Sequence, residues 1–193
     1  MNTLKTNITI ALMILAISLY AQNEYVLKAN KVTVAGTSTL HDWESDVTKV
    51  EWSGTITIDD GKIAQVNNVL VRIPVESIKS TKGRIMDSKT YEAFNSEKNP
   101  YITYKLQHAE LNGGVINANG QLTMAGATKA IPLKVKATVG ANEEIRLSGS
   151  YEMKMTDYKM EPPTAVMGTI KVGDEVTIKF DLTVAPKNIA ANK

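Results

Sequence analysis

Apolar and polar residues alternate strictly over long stretches of this chain, and the clearest case lies near its C-terminus. Five apolar residues there occupy every second position: Val176, Ile178, Phe180, Leu182 and Val184. Side chains of a strand point alternately to its two faces, so this period predicts a β-strand with one apolar face. Because the pattern recurs along most of the chain, it predicts an all-β fold whose antiparallel sheet curls on itself and encloses the apolar face as a lumen.

Turn sequences divide the repeated pattern into about eight or nine strands. Asp59-Asp60-Gly61 and Asn112-Gly113-Gly114 are typical of tight hairpin turns. Pro74 predicts an edge, a bulge or a bend in the second long strand. We also expect a separate penultimate strand through Ile170 and Val172, before the strand of the Val176 series. The other strands are expected around residues 25–35, 50–58, 66–75, 102–106, 116–124, 131–139 and 145–155.

One segment departs from the period of two and predicts a short helix near residues 87–97. Tyr91 and Phe94 lie three positions apart, and Asp87 or Ser88 is suited to cap the start. The two aromatic side chains would then share one face of the helix, over an end of the barrel. We expect them to act as a plug in preference to a movable lid.

The first 21 residues are interpreted as a secretory signal peptide. Lys5 precedes an apolar stretch, Ile8 to Ile17, and polar residues resume after Ala21. Cleavage after Ala21 would leave residues 22–193 as a single domain without a stable membrane span. Its tail from Pro186 is expected to be disordered. We therefore expect a periplasmic or secreted protein.

Composition argues against several classes of partner. The chain has 22 basic and 20 acidic residues, and loss of Lys5 would leave 21 basic residues and a net charge near +1. Without a basic cluster, nucleic acid is not an expected partner. The chain also has no cysteine, which excludes disulfides and thiolate metal sites.

No recognisable catalytic or metal-binding motif is present. His41 and His108 are the only histidines, and their spacing does not resemble a zinc site. A serine hydrolase would require Ser38, His41 and Asp42 to meet without the Gly-x-Ser-x-Gly turn that normally presents the serine. We therefore expect no enzyme activity, no metal and no cofactor.

Two features point to contact with a ligand. His41 and Trp43 lie two positions apart and would share one face of an extended segment, either at a pocket mouth or as a structural histidine beside a buried tryptophan. From Met86 onwards the chain has six methionines, which together suit an adaptable apolar lumen, although each one taken alone is better explained by ordinary core packing. The expected lumen and mouth residues are His41, Trp43, Trp52, Tyr91, Phe94, Tyr104, Met124, Met153, Met155 and Phe180.

Several short segments between Tyr25 and Val184 occur in an order and with a spacing that are more specific than any one of them alone. They are the Ser/Thr-rich segment with His41, Trp52-Ser53-Gly54-Thr55-Ile56, Met86-Asp87 with the helix to Phe94, Asn99-Pro100-Tyr101-Ile102-Thr103-Tyr104, Gly120 to Lys129, Met155-Thr156-Asp157-Tyr158 with Pro162-Pro163, and Gly173-Asp174-Glu175-Val176. Together they resemble the YceI-like family of secreted lipid-binding barrels. The chain departs from that family's pattern after the histidine, where it has Asp42-Trp43-Glu44.

This resemblance implies an elongated, eight-stranded antiparallel lipocalin-like barrel whose apolar pore holds a long isoprenoid, a quinone or another fatty amphiphile. It further implies an exported, often dimeric protein that binds or transports its ligand without catalysis, so a homodimer is also expected.

The alternative is a packed structural envelope protein whose outer face engages a protein partner. Aromatic side chains can fill a small barrel completely. This would follow if the inward set were dominated by five of them pointing together: Trp43, Trp52, Tyr104, Tyr151 and Phe180.

Overall fold

Strands dominate the computed structural model, which describes residues 23–165 and 167–187. The elements are β1 (Asn23–Ser38), β2 (Trp43–Val47), β3 (Glu51–Asp59), β4 (Lys62–Pro74), β5 (Ile78–Ser80), α1 (Arg84–Phe94), β6 (Tyr101–Asn112), β7 (Val115–Met124), β8 (Ala127–Val139), β9 (Ile145–Lys154), β10 (Thr164–Ala165) and β11 (Ile170–Pro186). Three short 3-10 helices, Val75–Ser77, Ala141–Glu143 and Met155–Tyr158, complete the described elements.

Eight of these strands form a closed antiparallel barrel. The ring runs β1-β3-β4-β6-β7-β8-β9-β11 and closes because β11 pairs with β1. The second half of β1 leaves β3 and pairs instead with β2, which in turn pairs with β5. The predicted eight-stranded all-β barrel with one short helix is therefore confirmed.

Two-residue turns connect several neighbouring strands. Asp60-Gly61 joins β3 to β4 and Gly113-Gly114 joins β6 to β7, and all four residues have positive φ. Two consecutive positive φ values define the type I′ turn, whose twist matches that of paired strands. The two hairpin turns expected from sequence are confirmed.

The sequence period sets which residues face the interior. In β7, for example, Ile116, Ala118, Gly120, Leu122 and Met124 are buried, whereas the residues that alternate with them are more exposed. Strands of one sheet share this alternation, so the inward positions form one continuous apolar surface.

The helix begins and ends three residues earlier than predicted. It spans Arg84–Phe94, and Gly83 precedes it without a side-chain cap. Asp87 does not cap the helix, because its carboxylate accepts a hydrogen bond from the backbone N–H of Ser80, 2.7 Å away. Asp87, which was expected to cap the helix, therefore connects the helix to β5.

The expected penultimate strand is not separate. Ile170 and Val172 belong to β11, which continues through Gly173 and Asp174 to the Val176 series. Between the pairs Gly36–Val176 and Ser38–Val172, three residues of β11 lie opposite Thr37 alone, so the chain makes a bulge where a break between two strands was expected. The carboxylate of Asp174 stabilises the bulge by accepting hydrogen bonds from the N–H and hydroxyl of Thr156.

The C-terminal end of the barrel extends further than predicted. Pro186 ends β11 and pairs with Tyr25, so it is part of the barrel and does not begin a disordered tail. Lys187 forms an ion pair with Glu24. The expected signal peptide, its cleavage site and residues 188–193 lie outside the described residues.

Candidate ligand-binding lumen

An apolar cavity of about 380 Å³ occupies the interior of the barrel. All eight barrel strands contribute side chains to its wall, and α1 and β2 add others near one end. The inward-facing positions of the alternating strands thus surround open space instead of meeting in a packed core.

One end of the barrel is closed by packing. Tyr25, Ile145 and Val184 are 0–1% exposed there. Ile145 pairs directly with Val184, while Tyr25 pairs with Pro186 near the end of β11. These residues do not belong to the cavity wall, so the lumen ends above them.

The polar part of the cavity wall lies at the other end, where β1 ends and α1 begins. His41, Ser45, Ser80, Lys82 and Lys89 line the cavity there. His41 and Lys82 are exposed to solvent, whereas Ser45 is 3% exposed. We call this end, defined by these five residues, the mouth.

Nine of the ten expected lumen residues line the cavity. They are His41, Trp43, Trp52, Phe94, Tyr104, Met124, Met153, Met155 and Phe180. Tyr91 does not line it, because its hydroxyl accepts a hydrogen bond from Lys79 Nζ at 2.6 Å and donates to the carbonyl of Glu76 at 3.0 Å. The structure thus separates the two helix aromatics that were expected to share a role.

The histidine and tryptophan of the β1–β2 connection differ in their environment. Trp43 is half-buried, and its indole N–H donates a hydrogen bond to the carbonyl of Thr37 at 3.0 Å. The Nδ1 atom of the exposed His41 lies 2.8 Å from the carbonyl of Asp42. A carbonyl only accepts, so Nδ1 carries a proton, and Nε2 is free to accept a hydrogen bond at the mouth when the ring is neutral.

Tyr104 has a hydroxyl group without a hydrogen-bond partner among the described residues. Burial in this apolar environment raises the pKa of Tyr104 to about 12, because the phenolate would lose its hydration. The phenol therefore stays neutral at physiological pH.

The five aromatic side chains that were expected to point inward together in a fully packed barrel do share the interior. Trp43, Trp52, Tyr104, Tyr151 and Phe180 all line the same cavity. They nevertheless leave about 380 Å³ open, which lies within the usual range for small-molecule sites. The fully packed barrel is therefore not the arrangement observed.

Five methionines belong to the cavity wall. Met86, Met124, Met153, Met155 and Met160 line the cavity, whereas Met167 is fully exposed in the turn before β11. An unbranched thioether side chain changes conformation easily, so this wall is suited to apolar groups of irregular shape.

Sequence reasoning missed part of the mouth and of the helix surface. Ser45 follows Trp43 by two positions on β2, so strand alternation already placed it on the inward face. Met86, Thr90 and Ala93 share the lumen-facing side of α1 with Phe94, at the spacing expected for one helix face. Lys82 carries no comparable sequence signal, because it lies in a turn.

Two kinds of feature are absent from the described residues. No three histidine, aspartate or glutamate side chains in residues 23–165 and 167–187 group so as to hold a metal ion. Over the same ranges, no helix has the length and hydropathy of a membrane-spanning segment.

Comparison with known families matches the whole barrel. The model of the YceI-like domain matches residues 24–184. The chain belongs to the YceI-like family. Comparison of this YceI-like chain with curated protein sequences gave no match.

Several solved structures share the YceI-like fold with this chain. BcnA of Burkholderia cenocepacia is 20% identical, with a TM-score of 0.65 over 81% of this chain and 96% of that one. A polyisoprenoid-binding domain from Saccharophagus degradans, implicated in plant cell wall breakdown, is 12% identical, with a TM-score of 0.66 over 86% and 99%. The YceI protein of Campylobacter jejuni is 18% identical, with a TM-score of 0.58 over 72% and 82%. At these identities the likeness establishes the fold.

Proposed function

We propose that this YceI-like barrel binds or transports a long-chain isoprenoid, a quinone or a similar amphiphile in its lumen without changing it chemically. The observation that carries the proposal is the open apolar cavity of about 380 Å³. The polyisoprenoid-binding description of the Saccharophagus degradans domain, which has the same fold, supports it.

The cavity volume indicates how much of a ligand the closed part of the lumen can hold. An apolar cavity of about 150 Å³ accommodates benzene. By proportion, the lumen holds about fifteen carbon atoms. A longer chain would extend through the mouth or displace the methionine side chains of the wall.

Burial of such a chain suffices for binding. Each buried methylene contributes about 0.8 kcal/mol, so fifteen contribute about 12 kcal/mol. Association costs at least about 4 kcal/mol in lost freedom. At most about 8 kcal/mol then remains, so the tightest dissociation constant expected from this burial is micromolar.

The mouth offers polar contacts for a head group. His41 Nε2 can accept a hydrogen bond, and the ammonium of Lys82 and the hydroxyl of Ser45 can donate to oxygen atoms. A carbonyl, hydroxyl or phosphate head group would remain hydrated here while its chain occupies the lumen. This orientation needs no buried charge.

Native mass spectrometry of protein purified from its own cells tests the proposal. We expect a stoichiometric added mass that organic extraction releases as an isoprenoid, a quinone or a fatty amphiphile. The same spectra test the expected homodimer. A protein that is empty and takes up neither farnesol nor dodecan-1-ol would contradict the proposal.

A matched pair of variants separates lumen binding from surface adsorption. Ala118 faces the lumen, whereas Ala130 is exposed on the outside of the barrel. Phenylalanine at position 118 would occupy ligand space, so Ala118→Phe should reduce uptake of farnesol at least tenfold. Ala130→Phe should leave uptake unchanged, and equal uptake by both variants would place the ligand elsewhere.

We also propose that the protein is exported to the periplasm or secreted, with cleavage after Ala21. The basis is the sequence of the first 21 residues. In a bacterial host, fractionation and N-terminal sequencing should give an envelope or secreted protein that begins at Gln22. Retention of the full-length chain in the cytoplasm would contradict this.

A further inference from the structure

Four barrel strands place a glycine on the inward face, where neighbouring strand positions hold apolar side chains. Gly120, for example, lies between Ala118 and Leu122 of β7, and both of these line the lumen. The same period puts glycine at lumen positions of β1, β3 and β9. The four residues are Gly36, Gly54, Gly120 and Gly149.

Each of these glycines is covered by an aromatic ring that lines the lumen. A β-carbon built on the glycine would lie 2.4–2.8 Å from the ring, whereas ordinary contact begins at 3.4 Å. The closest distances are Gly36 to Trp43 at 2.6 Å, Gly54 to Trp52 at 2.8 Å, Gly120 to Tyr104 at 2.4 Å and Gly149 to Phe180 at 2.7 Å. Only glycine allows the rings to lie this close to the strands.

We propose that these four glycine–aromatic pairs determine the width of the lumen and thereby let it admit methyl-branched chains. This inference rests on the proposed function. A β-carbon at an inward position points into the barrel, so it would displace the ring towards the lumen by about 0.6–1.0 Å, the difference between 3.4 Å and the present 2.4–2.8 Å. With glycine, large aromatic side chains line the wall and still leave room for a ligand.

The width of the lumen matters because ligands of the same length differ in cross-section. An isoprenoid carries methyl groups at regular intervals and is wider than a linear chain of the same length. A modest narrowing of the lumen would therefore exclude the branched chain before the linear one. Glycine–aromatic contacts can also serve sheet stability alone, and the experiment must separate these two roles.

Gly120→Ala tests the proposal most directly, because the three atoms nearest to its β-carbon would all belong to Tyr104: two ring carbons and the hydroxyl oxygen. Gly36→Ala is a second variant, in which the three nearest atoms all belong to Trp43. Gly149 is less suitable, because its β-carbon would also lie 2.8 Å from the backbone carbonyl of Lys134. Gly140→Ala is the matched control: it lies outside the cavity wall, its φ is −104°, and its nearest contact is an ordinary 3.5 Å.

The readout is a competition between two alcohols of equal main-chain length. Wild-type protein and each variant are mixed with equimolar farnesol and dodecan-1-ol, and native mass spectrometry gives the ratio of the two bound forms. This ratio does not depend on the fraction of protein that is folded. We expect it to fall at least about fivefold in Gly120→Ala and Gly36→Ala, and to stay within twofold of wild type in Gly140→Ala.

A compensating substitution tests the mechanism. In Gly120→Ala/Tyr104→Leu the displaced ring is absent, so the ratio should return towards the wild-type value. Unchanged ratios in both Gly120→Ala and Gly36→Ala, or a ratio that Tyr104→Leu does not restore, would overturn the inference. Wild-type protein that binds neither alcohol would instead overturn the proposed function.

Discussion

Individual tyrosines of this barrel differ in whether their hydroxyl groups find a partner. The Tyr104 hydroxyl is buried in the lumen wall without one, whereas the Tyr91 hydroxyl bonds to Lys79 and to the carbonyl of Glu76. A buried polar group without a partner destabilises the folded state, because it loses its hydration and gains no hydrogen bond. Removing the hydroxyl group should therefore stabilise the folded state at Tyr104 and destabilise it at Tyr91.

Replacement of Tyr104 by phenylalanine should stabilise the protein at pH 7 by up to about 1 kcal/mol, since it removes an unsatisfied hydroxyl and keeps the ring. The substitution should also change how the free energy of unfolding depends on pH. Burial raises the folded-state pKa of Tyr104 from 10.0 to about 12, so its contribution to stability is complete below pH 10 and declines as the pH rises towards 12.

Urea unfolding at pH 7 and at intervals from pH 9.5 to 11.5 measures both effects. Tyr104→Phe should show a flatter decline than wild type over the alkaline range. A decline should remain, because burial also raises the pKa of Tyr25 to about 12. A loss of stability above 1 kcal/mol at pH 7 would show that the hydroxyl has a partner in solution.

At the scale of elements, α1 stands apart because it lines the lumen without belonging to the barrel. Met86, Thr90, Ala93 and Phe94 face the cavity. On another side of the helix, Tyr91 bonds to the segment that precedes β5. The Asp87 carboxylate accepts from the backbone N–H of Ser80, so two side chains hold the helix to its neighbours.

Loss of the Tyr91 hydroxyl should loosen this attachment. We expect Tyr91→Phe to lower the free energy of unfolding by about 1 kcal/mol and to speed the release of bound farnesol, because the helix then lies less firmly over the lumen. Stopped-flow dilution and urea unfolding measure the two effects.

Tyr101→Phe is the control for this variant. Tyr101 is 40% exposed, and its ring rather than its hydroxyl makes the observed contact, with the Arg72 guanidinium 4.1 Å from the ring centroid. The Phe ring keeps that contact, so both stability and release should match wild type. Equal release rates in the two variants would mean that the Tyr91 hydroxyl does not restrain the helix.

At the scale of the whole molecule, closure of the ring depends on the two ends of the chain. β1 and β11 pair antiparallel along nearly their full length, which brings Tyr25 opposite Pro186. A closed barrel has no free edge, so each strand of the ring is paired on both sides. The pairing between first and last strands should tolerate a covalent link between them.

Circular permutation tests this view of the barrel. A short Gly/Ser linker from Lys187 to Asn23, with new ends between Gly113 and Gly114, should leave the barrel folded with a melting temperature within about 5 °C of wild type, since only a solvent-exposed turn is opened. New ends between Leu133 and Lys134, inside β8, should prevent folding. Comparable stability of both permutants would argue against a cooperative closed barrel.

Much of the fold was predictable, because strand alternation and turn chemistry are local. The inward positions of β7 and the turns at Asp60-Gly61 and Gly113-Gly114 follow from neighbouring residues alone. The limits of α1 and the bulge of β11 did not follow, since Asp87 and Asp174 bind distant backbone groups that no local pattern reveals.

The sequence by itself determined the period of the strands, and with it an apolar interior that includes eight of the ten expected lumen residues, with His41 at the mouth. Only the tertiary structure decided that this interior is open. Trp43, Trp52, Tyr104 and Phe180 have enough volume to fill a small barrel, and whether they do depends on the backbone behind each ring. Because glycines lie there, the rings rest against the strands and a cavity remains.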